Sequence, residues 1–213
     1  MAAVTSSAIL VGLQAMDDRR VLFFGDSFVA GAGDPHGCGW VGRVTAACWP
    51  LTPYNLGVRG ETSVQVAARW QAEAWPRLRA GARSAVVFSV GANDACGEAP
   101  GEPPRVPLER SRAALGELLD AAALMELPAF VVGPPPVGEA RADARVRELT
   151  EVFAALCDGR GTPYVPVAEQ LLRSGTWLAE AAAGDGAHPG AGGYDELAAL
   201  ILAGGFREWI AAL

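Results

Sequence analysis

The chain has 213 residues, 51% of them hydrophobic and 19% charged, with 17 basic against 24 acidic side chains and a formal net charge of −7. That length suits one α/β domain and the apolar content fills a core, which excludes an intrinsically disordered chain. The acidic balance, with no Lys/Arg run, argues against nucleic acid or an anionic membrane surface as the main partner.

The N-terminus, MAAVTSSAILVGLQAM, holds a short apolar stretch without the basic residues that open an export signal, and it is too short to cross a bilayer. Met16, just ahead of DDRRVLFF, offers an alternative start, so residues 1–15 read as a flexible extension and 16–213 as a single domain. No membrane span and a cytoplasmic location are expected. Cys38, Cys48, Cys96 and Cys157 are scattered without a C-x-x-C or Cys/His pairing, so they read as small buried hydrophobes in a reduced compartment, with no zinc site.

Apolar runs bounded by Gly, Pro and polar residues predict strands at 20–24, 52–56, 84–90, 129–133 and 163–167. Between them, helical periodicity predicts helices at 40–48, 62–80, 107–126 and 140–158, with further helical pattern over 168–183 and 191–212. In 107–126, Leu108, Ala114, Leu115, Leu118, Leu119 and Ala122 share one face, while Glu109, Arg112, Glu117 and Asp120 share the other. Strands alternating with helices predict an α/β fold with a parallel sheet covered on both faces and a site in the loops at the carboxyl ends of the strands. Two proline-rich turns, 97–107 and 133–140, follow predicted strands and are expected to wall that site.

Three loops and the tail carry the chemistry. Gly25-Asp26-Ser27 follows the first strand, where a tight turn can hold the serine hydroxyl out at the sheet edge and leave its N–H free; as a bare tripeptide it is more often turn chemistry. Gly57 follows the second strand and can point an N–H into a site, although a plain strand-to-helix turn reads equally well. Thr62 or Ser63 then suits a helix N-cap. After the third strand, Asn93 in VGAND can donate from its amide to an oxyanion or simply close an Asx-turn. In the tail, GDGAHPG sets Asp185 three positions before His188. A serine hydrolase needs a histidine base and a carboxylate to orient it. The other histidine, His36, reads as a solvated loop residue.

Each signal is weak alone, but one reaction uses them all. Taken in order, Ser27 in FGDSF, Gly57 in NLGVRGET, Asn93 in GAND and His188 in DGAHP resemble the four signature positions of the SGNH hydrolases, also called GDSL-type esterases and lipases, over roughly residues 20–200. Phe28 stands where that family's motif has Leu, a position without a chemical role. The resemblance implies a flavodoxin-like three-layer α/β/α sandwich around a five-stranded parallel sheet. It also implies Ser27 as nucleophile, His188 as base and then acid, and Asp185 as the group that fixes the imidazole. The N–H groups of Ser27 and Gly57 and the Asn93 amide form the implied oxyanion hole, and no metal or organic cofactor is implied. Asp26 reads as a turn-stabilising residue, with the triad acid at Asp185.

A dinucleotide-binding reading of GAGDPHG fits poorly, because Gly31, Gly33 and Gly37 give G-x-G-x-x-x-G and no acidic residue ends the second strand. An α/β-hydrolase reading lacks G-x-S-x-G; the nearest stretch, VFSVG around Ser89, lies inside a predicted strand. Transfer of the acyl group to an alcohol remains open beside hydrolysis. The loops that would line the pocket are proline-rich and mixed in polarity, which predicts an open cleft for short- to medium-chain acyl esters. The glycines from Gly31 to Gly39 are expected to shape the rim of that cleft.

Overall fold

Side chains of a strand alternate between its two faces, and in β1 (Arg19–Gly25) both faces are apolar. Val21 and Phe23 join one core, Leu22 and Phe24 the other, and all four are fully shielded from solvent. The computed structural model describes residues 18–213, so the predicted extension over 1–15 lies outside the described residues.

β1 is followed by the four-residue helix α1 (Ser27–Ala30), α2 (Gly39–Ala47), β2 (Thr52–Gly57), α3 (Ser63–Ala74), β3 (Arg83–Ser89), the four-residue α4 (Ala92–Ala95), α5 (Leu108–Leu124) and β4 (Ala129–Val132). The chain closes with α6 (Ala140–Asp158), β5 (Tyr164–Val165), α7 (Ala168–Leu172), α8 (Gly175–Ala183), α9 (Ala191–Ile201) and α10 (Arg207–Ala211). The five strands are parallel, in the order β2-β1-β3-β4-β5. This is the three-layer α/β/α architecture that the sequence predicts. Val66 and Trp70 of α3, Leu115 and Leu118 of α5, and Val146 and Phe153 of α6 cover one face. Trp40 and Val44 of α2, Leu197 and Ile201 of α9, and Ile210 of α10 cover the other. At roughly 1.5–3 kcal/mol per fully buried large apolar side chain, β1 alone accounts for several kcal/mol of core stabilisation.

The chain passes from β1 to β2 on one side and then to β3 on the other, so strand order reverses around β1. In open parallel sheets the crevice at the carboxyl ends of such strands is where ligands bind. β1 and β3 end there, and each runs straight into one of the four-residue helices.

The predicted element types hold, and four boundaries differ for local reasons. The helix predicted over 62–80 stops at Ala74, because Pro76 allows only a 3-10 turn, Trp75–Arg77, before the chain bends into β3. The helix predicted over 168–183 breaks into α7 and α8 at Ser174, whose side chain caps α8 by accepting from the Trp177 N–H. That over 191–212 is interrupted by a π-turn, Leu202–Phe206, where Gly205 takes φ +95°. β5 shrinks to two residues from the five predicted over 163–167. The cysteines also depart from expectation: all four are unpaired, and Cys48 and Cys157 are buried, but Cys38 is exposed and Cys96 half-buried.

Candidate active site

Asp26 caps α1 by accepting from the Phe28 N–H at 2.9 Å, which starts the helix at Ser27 and turns its hydroxyl toward the crevice. From the far end of the chain, His188 Nε2 reaches to 2.7 Å from Ser27 Oγ. His188 Nδ1 lies 2.7 Å from Asp185 Oδ2. Asp185 Oδ1 accepts from the backbone N–H groups of Ala187 and His188, at 3.0 and 2.9 Å, which winds this stretch so that acid and base face each other. Partial burial would raise the Asp185 carboxyl, but the hydrogen bonds from the His188 backbone, its ring and the Ala187 N–H outweigh it and hold the group at about 2. A charged Asp185 favours the His188 tautomer with its proton on Nδ1, which leaves the Nε2 lone pair for the Ser27 hydroxyl.

Asn93 sits in α4, where β3 ends, and lines the same cavity as Ser27 and His188. Its Nδ2 donates to Asp26 Oδ2 at 3.1 Å. Burial pushes the Asp26 carboxyl up to about 7, against the opposing hydrogen bonds from Phe28 and Asn93. Its neighbour Asp94, fully buried, accepts from both the N–H and the hydroxyl of Ser63, and so clamps α4 to the start of α3. Thr62 caps α3 in a reciprocal pair with Gln65.

Gly57 pairs in register with Gly25. A Cβ at position 57 would lie 2.3 Å from the Ala30 N and 2.7 Å from the Asp26 carbonyl oxygen, so only glycine lets α1 rest on the end of β2. Its N–H donates to Asn55 Oδ1 at 3.1 Å. Asn55 Nδ2 in turn donates to the Val29 carbonyl at 2.7 Å, tying β2 to the serine helix. The structure therefore brings Ser27, His188, Asp185 and Asn93 into one cluster, with Gly57 beside it and its N–H engaged by a side chain that the sequence reading did not single out.

The cavity holds about 220 Å³, and its walls include Cys96, Gly97, Ala99 and Pro100 together with Val137, Glu139 and Ala142. Both proline-rich loops thus flank it, as the sequence predicts. Arg141 and Arg145 of α6 strap the first loop by donating to the carbonyls of Gly101, Ala95 and Glu102 at 2.8 Å. Arg59 lies in the loop after β2, with its guanidinium 3.8 Å from the Asp185 carboxylate.

Two residues have roles the motifs did not give them. The Phe28 ring packs 4.8 Å from the His188 imidazole, centroid to centroid, and stacks on Trp177 at 5.9 Å. A side chain assigned no chemical role forms the seat of the imidazole. Asp34, which the sequence reading did not single out, organises the glycine-rich loop. It accepts from the N–H groups of His36, Cys38 and Gly39 at 3.1, 3.2 and 2.8 Å and from Arg43 at 2.6 Å. Burial would raise its carboxyl, but these donors hold it at about 2. The backbone N–H groups that a phosphate would need are already taken, which removes the dinucleotide reading. Nor does this loop wall the cavity: Gly33 packs behind the site, where a Cβ would lie 3.0 Å from His188 Cβ. His36 is exposed.

Among the described residues no group of His, Cys, Asp and Glu is arranged to hold a metal ion, and no helix is long and apolar enough to cross a membrane.

Solved structures share this fold. A lipase/acylhydrolase from Enterococcus faecalis is 22% identical, with a TM-score of 0.71 over 92% of this chain and 97% of that one. An acetylxylan esterase from Geobacillus stearothermophilus is 20% identical, with a TM-score of 0.70 over 87% of this chain and 93% of that one. A member of the lipolytic G-D-S-L family from Veillonella parvula is 18% identical, with a TM-score of 0.67 over 87% and 97%. No curated protein matches the chain. The model of the GDSL-like Lipase/Acylhydrolase family matches residues 23–196. That span is most of the sequence and contains every residue of the cluster, so the chain belongs to the GDSL-like lipase/acylhydrolase family and is a carboxylic-ester hydrolase.

Proposed function

We propose that the protein is a serine esterase that cleaves short- to medium-chain acyl esters through an acyl-enzyme on Ser27. The observation that carries this reading is the hydrogen-bonded series Asp185, His188, Ser27, with both links at 2.7 Å, opening into the cavity that Asn93 lines. Ser27 Oγ attacks the ester carbonyl carbon while its proton passes to His188 Nε2, and the carbonyl oxygen becomes an oxyanion. The Ser27 N–H and the Asn93 amide donate to that oxyanion, and the Gly57 N–H joins them by exchanging Asn55 Oδ1 for the developing charge. His188 then gives its proton to the leaving alcohol as the C–O bond breaks. A water molecule, deprotonated by His188, attacks the acyl-enzyme, and the acid leaves with Ser27 reprotonated.

The small cavity and its mixed lining support modest acyl groups. One substitution tests the core of the reading. Ser27→Ala abolishes hydrolysis of p-nitrophenyl acetate and labelling by an organophosphonate, with the fold retained by circular dichroism. Labelling that persists in the variant would move the nucleophile elsewhere.

A further inference from the structure

Asp26 is 2% exposed and uses both carboxylate oxygens on two different parts of the site. Oδ1 accepts from the Phe28 N–H at 2.9 Å and so caps the helix that carries Ser27. Oδ2 accepts from Asn93 Nδ2 at 3.1 Å, across 67 residues of sequence. A primary amide has two N–H hydrogens on one nitrogen, and above about pH 7, where Asp26 is ionised, its carboxylate has no hydrogen to offer. The Asn93 amide therefore has to present its nitrogen to Asp26: one hydrogen is held there, and the second is left for the cavity that Asn93 lines. Without that acceptor, a half-turn about the last side-chain bond would present the amide oxygen instead, and a second oxygen facing an oxyanion repels it.

We propose that Asp26 is a positioning residue for the oxyanion hole: its carboxylate fixes the donor face of the Asn93 amide and locks that amide to the nucleophile helix. The inference rests on the reading of Ser27 and Asn93 given under the proposed function. It separates from a capping role because Asn is as good an N-cap as Asp. Asn at position 26 is isosteric, yet it has a single acceptor oxygen where Asp26 uses two. It can cap Phe28 and turn its own NH2 against the Asn93 NH2, or accept from Asn93 and lose the cap. Ser at position 26 keeps the cap and is too short to reach Asn93.

The experiment is a double-mutant cycle on p-nitrophenyl acetate at pH 8, where Asp26 is ionised, with Asp26→Asn, Asn93→Ala and the pair, with Asp26→Ser as a second probe and circular dichroism melts to verify folding. Asn93→Ala lowers kcat by roughly two to three orders of magnitude, as for the loss of one oxyanion donor. Asp26→Asn and Asp26→Ser each lower kcat by roughly tenfold to a hundredfold, a part of that donor's worth, with KM within about twofold. In the Asn93→Ala background, Asp26→Asn costs less than about twofold, because nothing is left to orient. An Asp26→Asn enzyme with the parent kcat, or one that loses the same factor in both backgrounds, overturns the inference while the oxyanion reading stands. An Asn93→Ala enzyme with the parent kcat overturns both.

Discussion

His188 Nε2 lies 2.7 Å from Ser27 Oγ, although the two are 161 positions apart in the chain. The imidazole does not hold this position alone. Asp185 takes Nδ1 and two backbone N–H groups on one side, and the Phe28 ring supports the other. Asp185→Asn keeps the shape but offers no obligatory acceptor for the Nδ1 proton, so the population with a free Nε2 lone pair falls. The expected loss in kcat is roughly two to four orders of magnitude, with KM little changed. Steady-state hydrolysis of p-nitrophenyl acetate measures it, and a loss below threefold would show that another group orients the ring.

Asp26 gives a stability prediction of definite sign. Its folded-state carboxyl, pushed up by burial to about 7 from the ordinary 3.8, binds a proton more tightly than the unfolded chain does. Such a group contributes stability below the unfolded value, and that contribution is lost as pH rises through the folded one. Asn at 26 does not titrate. The unfolding free energy of Asp26→Asn relative to the parent should therefore rise between about pH 4 and pH 7, by up to about 4 kcal/mol at 1.36 kcal/mol per pKa unit. Asp34 and Asp185, both held at about 2, titrate alike in the two proteins and cancel in the difference. Urea titrations at pH 4.5 and 8 supply the numbers. A constant difference would mean that Asp26 ionises normally.

Gly57, which ends β2, and Gly60, in the turn after it, should differ in their effect on kcat. Gly57→Ala drives a Cβ into the Ala30 backbone nitrogen at 2.3 Å, which no rotamer can relieve. Overpacking of this kind costs about 1–3 kcal/mol, or several degrees in Tm, and it displaces the helix that bears Ser27, so kcat falls as well. Gly60→Ala meets nothing within 4 Å and bears only the strain of its left-handed φ of +80°. That is about 1–2 kcal/mol with kcat retained. Differential scanning calorimetry with a parallel assay distinguishes them, and equal kcat losses would refute the packing argument.

Acyl specificity should track the cavity. At about 220 Å³, with Pro100, Val137 and Ala142 among its lining residues, it should take small acyl chains and leave the rest of a long one in solvent. Across a series of p-nitrophenyl esters, kcat/KM is expected to be higher for acetyl through hexanoyl than for palmitoyl. Faster turnover of the palmitoyl ester would require an acyl site elsewhere.

Sequence reasoning reached the fold because the alternation of buried strands and amphipathic helices is written in local periodicity, as in Val21 to Phe24 and in α5. Ser27, Asn93, Asp185 and His188 were legible because each follows a strand or precedes the last long helix in a motif of fixed order. What stayed hidden were contacts between distant segments. Asn55 reads as an ordinary strand residue until its amide is seen bridging Val29 and Gly57. Phe28 looks like a neutral replacement until its ring lies against His188. The helix boundaries failed for local reasons of the opposite kind, at Pro76, Ser174 and Gly205, where one residue overrides a long periodic pattern.

The glycine-rich loop after α1 looks like a cradle for an anion, and it is one, but the anion is the chain's own Asp34. Arg43 completes the arrangement, reaching from Asp34 to the Ala191 carbonyl and to Asp195 just beyond the histidine loop. The protein thus supplies its own counter-ion at fixed stoichiometry. The loop whose Gly33 packs against His188 is thus held in shape by charges and donors of the chain itself.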